Sequence, residues 1–187
     1  MSASDPSPNA NGTWAARSLL ELTRHIVDTH HRFCREQGAH LSAALADALA
    51  APAPGAALAP LQRQFTQLQA TLLLHLTKEE QVLFPMIVRL EQAVNAQEPI
   101  PSFAFGSIAA PIRMMDMEHR EVERQFAEIR NLAGGFTAPA DGSALQREIA
   151  TRLAAYHEDL VRHTRLEDEI LFPRAVALEH APGSAAP

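Results

Sequence analysis

Two eleven-residue segments match almost position for position: HLTKEEQVLFP at 75–85 and HTRLEDEILFP at 163–173. Both read H-x-x-x-E-acid-(Q/E)-(V/I)-L-F-P, and they lie 88 residues apart. A second pair keeps that offset. His31 in HHR and His119 in EHR are also 88 residues apart, and each precedes its H-x-x-x-E partner by 44 residues. Such a sequence reads as two helix hairpins related by an approximate two-fold, with one histidine projecting from each helix. The register makes His31, rather than neighbouring His30, the counterpart of His119; His30 falls opposite Glu118.

The segments around these motifs are helical by composition and period. From Ala16 to about Leu49 the chain is rich in Leu, Ala, Arg and Glu, until APAPG at 51–55 removes the amide donors a helix needs. A second stretch runs from about Pro60 to Ala96 and stops at QEPIPSFAFG, 97–106. The third starts near Ala110 or Pro111, a proline tolerated in a first turn, and ends at about Leu132 before GGFTAPADG, 134–142. The fourth spans about Ser143 to Leu178. No alternating strand pattern is present. The expectation is an all-α, antiparallel four-helix bundle over residues 16–179, with 1–15 and 180–187 as flexible tails.

Composition narrows the function. With 187 residues and 47% hydrophobic content the chain fits one domain with a sizeable core. A net charge of −6 without any Lys/Arg cluster argues against nucleic acid. The opening MSASDPSPNANGTW has no basic or apolar signal region, and no run of about 18 apolar residues occurs, so no membrane span is expected. A single cysteine, Cys34, rules out an internal disulfide and a thiol-only zinc site, and fits a cytoplasmic location.

On a helix, positions i and i+4 share a face, so His75 points with Glu79 and His163 with Glu167. The surrounding stripes are apolar: Leu68, Leu72 and Val82 on the second helix, Tyr156, Leu160 and Ile170 on the fourth. Ile112, Met115, Val122 and Phe126 flank His119, and Leu20, Val27 and Cys34 flank His31. Burying an unpaired carboxylate costs several kcal/mol. Two glutamates and four histidines on core-facing stripes therefore call for cations between them. Four neutral imidazoles and two carboxylates bridging through both oxygens give each of two ions four protein contacts. That set saturates a tetrahedral zinc, whereas iron, or next manganese, accepts further small ligands.

HHR, HLTKEEQVLFP, MEHREVE and HTRLEDEILFPRA strongly resemble the hemerythrin-like di-iron proteins, most closely their iron-sulfur-cluster repair (RIC) branch, over about residues 18–178. The resemblance implies two iron ions, oxo- or hydroxo-bridged when oxidised. His31, His75, His119 and His163 would be terminal ligands, with Glu79 and Glu167 bridging. It also implies NO or O2 as ligand, a role in nitrosative or oxidative stress with repair of iron-sulfur clusters, and a redox or iron-sulfur protein as partner. Bundles of this kind are monomers or dimers. Repair proteins carry an additional N-terminal module with a cysteine pair, which the segment before residue 16 is too short to supply. Oxygen-carrying hemerythrins place a histidine four residues after the third-helix ligand, where this chain has Glu123. The alternative reading is reversible O2 or NO binding or sensing without turnover; a structural metal bundle that docks a partner is a third.

Other residues near the motifs carry two readings each. Cys34, one turn after His31, is a small buried hydrophobe or a redox-active thiol beneath the site. Glu118 and Glu123 flank His119 as supports, channel residues or an extra ligand, or else as a solvated face. Tyr156 packs in the core or offers its hydroxyl to a bound ligand. His25, His30, His40, His157 and His180 read as ordinary solvated side chains, and the two LFP prolines as kinks or ends of helices.

Overall fold

Ser18 and Ser143 each open a helix by the same device. The serine hydroxyl accepts the amide of the third helical residue, Glu21 or Gln146, whose side chain accepts the serine amide in return. A computed structural model describes residues 14–52, 55–104 and 106–180. Among these residues, four long helices account for the fold: α1 (residues 19–50), α2 (58–96), α3 (109–132) and α4 (144–179). The tails expected from the sequence fall largely outside the described residues. Trp14 is described, and it stacks on His25 with ring centroids 4.4 Å apart while Arg174 donates to its carbonyl at 3.0 Å.

The amino-terminal part of α1 packs on the carboxyl-terminal part of α2, and the remainder of α1 on the start of α2, so the hairpin is antiparallel. α1 also packs along α4, and α2 along α3. Two apolar cores result. One gathers Leu22, Ile26, Ile87, Phe103 and Phe172 near the bundle end that holds the start of α1; the other gathers Leu41, Phe65, Leu68, Phe126 and Tyr156. The histidines and glutamates of the two repeats sit in the layer between them.

Three of the four helices contain a π-helical turn at this layer: Ile26–His31, Glu79–Leu83 and Glu167–Leu171. A π turn holds one extra residue, which changes the face presented by whatever follows it. Val82, expected on the inner stripe, is 42% exposed, and Leu83 takes the buried place. Pro85 and Pro173 follow these turns at the start of the next α-helical segment, so neither ends its helix.

Candidate metal centre

His31, His75, His119, His163, Glu79 and Glu167 are brought together and buried, with 0% exposure for both glutamates. They form two clusters that share both carboxylates: His31 and His163 with Glu79 and Glu167, and His75 and His119 with the same pair. Each glutamate offers one oxygen to each side. Glu79 Oε2 lies 3.4 Å from His31 Nε2 and its Oε1 lies 3.3 Å from His75 Nε2. Glu167 Oε1 lies 2.9 Å from His163 Nε2 and its Oε2 lies 3.2 Å from His119 Nε2.

The outer nitrogens decide what the inner ones can do. Nδ1 of His31 meets Glu80 at 2.7 Å, Nδ1 of His75 meets Glu118 at 2.9 Å, and Nδ1 of His119 meets Asp168 at 3.0 Å. Burial favours the neutral form of Glu80 and Glu118, but Arg35 and His31 at the first, and Lys78 and His75 at the second, hold both below the usual carboxylate range. An ionised carboxylate only accepts, so each imidazole donates through Nδ1 and, when neutral, presents a lone pair at Nε2. His75 and His119 then aim lone pairs at one another across 3.1 Å, and His31 faces His163 across 3.2 Å. The first pair is stable only with a positive charge between the rings; at the second, His163 Nδ1 has no partner among the described residues, so its Nε2 is free to carry the proton toward His31 or Glu167.

The pKa values carry the same message. Burial pushes the His119 imidazole down, yet Asp168, Glu167 and Glu79 outweigh it and raise it to about 10. His163 and His75 also rise against the pull of burial, chiefly through Glu167 and Glu79 respectively. Glu167 is held well below the usual range by His163 and His119, although burial opposes this. Protons fill the demand in part, but among the described residues both oxygens of Glu79 and Oε2 of Glu167 remain buried without an aligned hydrogen bond. Buried anionic oxygens in that state are costly, and a cation in each cluster removes the cost. The donor set fits a pair of iron-type ions: imidazole nitrogens, bridging carboxylates and no thiolate.

The remaining sequence expectations divide. Glu118 lies 2.9 Å from His75 Nδ1 and outside both clusters. Glu123 stands outside both clusters, exposed on the lip of a cleft between α3 and α4. The Tyr156 hydroxyl accepts from Gln69 Nε2 at 2.5 Å and donates to the Cys34 carbonyl at 3.2 Å. Cys34 is fully buried, and its side chain lies against His163, whose Nδ1 has no aligned hydrogen-bond partner among the described residues. His40 and His180 are exposed as expected. His30 is not: it is 1% exposed, its Nδ1 lies 3.0 Å from Asp159, and its ring is stacked 5.7 Å from that of His163. The reason is its register, since residue 30 occupies in α1 the inward place that Glu118 occupies in α3. His25 and His157 are half-buried against Trp14 and Phe126. Glu80 and Asp168 went unassigned from sequence, although each fills the acid position of the repeated motif.

This is the architecture of a helical bundle built around a two-cation histidine–carboxylate centre. The family model for the hemerythrin HHE cation-binding domain matches residues 22–175, and the chain belongs to that family. Its relatives include the probable iron-sulfur cluster repair protein of Haemophilus influenzae, 31% identical over 174 residues, covering 90% of this chain and 70% of the relative. The iron-sulfur cluster repair protein YtfE of Cronobacter sakazakii is 31% identical and that of an Escherichia coli strain 32% identical. Each alignment covers 89% of this chain and 70% of the relative. No helix among the described residues is long and apolar enough to cross a membrane.

Proposed function

We propose that this chain, with residues 16–179 as its folded unit, is a cytoplasmic di-iron protein that binds or processes NO or O2 in nitrosative or oxidative stress and assists iron-sulfur cluster repair. His31 and His163 would hold one iron and His75 and His119 the other, with Glu79 and Glu167 bridging. The observation that carries the reading is the pair of Nε2–Nε2 approaches, 3.1 and 3.2 Å, flanked by carboxylates that each face both ways. The repair assignment rests on what the relatives are named for.

A reduced iron pair, when bound, supplies sites for a small diatomic ligand and one electron per iron. The chain's own residues do the rest. Glu80, Glu118 and Asp168 keep the proton on Nδ1 and so fix three rings with Nε2 inward. The apolar cores above and below exclude water, which strengthens every charge interaction within the layer. A redox protein or an iron-sulfur protein is the partner this chemistry requires.

Anaerobic purification with metal analysis and Mössbauer spectroscopy tests the reading. Two irons per chain are expected, with His75→Ala and Glu167→Ala each losing most of the metal while circular dichroism still reports a helical fold. A folded protein without transition metal, or variants that keep full iron, would overturn it.

A further inference from the structure

We propose that the cleft between α3 and α4 is the access route by which a small uncharged ligand reaches the His75–His119 half of the centre, and that Glu123 keeps that route open. The di-iron reading enters only in what stands at the foot of the cleft. The cleft has a volume of about 380 Å³ and descends to His119 between Val122 and Phe126 of α3 and Leu160 and Thr164 of α4. An uncharged diatomic crosses such a floor without the desolvation cost that a charged species meets.

The repeat shows how the other hairpin fills the corresponding place among the described residues. In register with Phe126 and Thr164 stand Gly38 and Leu76. Gly38 is buried so closely that a Cβ there would overlap the Gln69 side chain, and Leu76 is 0% exposed. Above His31, Arg35 reaches across from α1 to Glu80 at 2.8 Å, and the same Glu80 oxygen holds His31 Nδ1. This clasp covers the imidazole. Above His119 the acid is retained as Asp168, 3.0 Å from Nδ1, but the position of Arg35 is taken by Glu123. Two acids repel, so among the described residues this pair forms no clasp; both line the cleft, whose arginines Arg120 and Arg165 pair with Asp116 and Glu169. One cluster is capped and the other is reached from solvent, in a molecule whose ligand sets are otherwise matched.

Glu123→Arg restores the clasp and tests the inference twice. In the reduced, iron-loaded protein, stopped-flow association of nitric oxide should slow by about tenfold or more with iron content unchanged. Release should slow equally, leaving the equilibrium affinity in place. Independently of metal, Thr164→Cys should react readily with methyl methanethiosulfonate above the wild-type Cys34 background. Adding Glu123→Arg should slow that labelling by about tenfold. A Thr164→Cys chain that resists labelling, or a Glu123→Arg protein that labels or binds nitric oxide as fast as its parent, overturns the proposal. Absence of iron in the wild type would sink the di-iron reading instead, and the labelling rates would still decide the cleft.

Discussion

The α1–α2 and α3–α4 hairpins carry the same ligands at the same spacing, yet they surround them differently. His31 and His119 both lean on an acid five residues after a bridging glutamate's histidine, Glu80 and Asp168. The second histidines part company. His75 donates to Glu118, whereas His163 meets no carboxylate at Nδ1 among the described residues, because position 30 is a histidine and pairs with Asp159 instead. A carboxylate behind an imidazole makes it a stronger donor to a metal. The His75–His119 cluster has two such supports and an open approach; the His31–His163 cluster has one support and a capped one. Repetition of the motif thus sets which atoms meet in the centre, while departures from the repeat set how unlike its two halves are.

The largest expected effect is on metal retention with pH. Metal binds neutral imidazole, and His119 stays protonated in the metal-free protein up to about pH 10. With one proton displaced per ion, affinity should fall by about a thousandfold between about pH 8 and about pH 5. The metal-free fold behaves in the opposite sense. A histidine raised from 6.5 to about 10 stabilises fully below 6.5 and loses that contribution as pH climbs to about 10. Denaturant titration of apo protein should therefore show falling stability across that window, and Asp168→Asn should shift the fall to lower pH. A flat profile in both proteins would remove the charge argument for the centre.

Next in size are substitutions behind the ligands. Glu118→Gln should lower metal affinity by about ten- to a hundredfold, because the amide supports His75 less strongly than a carboxylate does. Cys34→Ala should change it by less than about threefold, since sulfur is a weak hydrogen-bonding partner for the His163 ring beside it. Competition against a chelator of known affinity measures both. Equal losses in the two variants would mean that the clusters are not unlike in the way their surroundings imply.

Much of this was readable from residues alone because helix periodicity is local. The 88-residue repeat placed all six clustered side chains, and Pro, Gly and Ser marked helix ends to within a few residues. What escaped depends on the third dimension. The π turn that exchanges Val82 for Leu83 changes register without any signal in composition. The burial of His30 follows from its place beside His163 and Asp159, on another helix and 129 residues away in the second case. Glu80 and Asp168 stood in the motif from the outset, but i+5 from a histidine they face the neighbouring helix, and only the packing shows what they hold.

The smallest predicted effect concerns a hydroxyl without any counterpart in the first hairpin. Tyr156 stands in register with Leu68, and its hydroxyl ties α4 to Gln69 of α2 and to the Cys34 carbonyl of α1. Both bonds are buried beneath the centre and outside its ligand set. Tyr156→Phe keeps the ring packing against Phe65 and Phe126 but leaves the Gln69 amide without its acceptor. Stability should fall by about 1–3 kcal/mol, read from the urea midpoint, with metal content unchanged. Leu68→Ala, which opens a cavity at the corresponding position, should cost more, about 2–5 kcal/mol. If Tyr156→Phe instead lost metal while keeping its stability, the hydroxyl would belong to the centre and the tie between helices would be incidental.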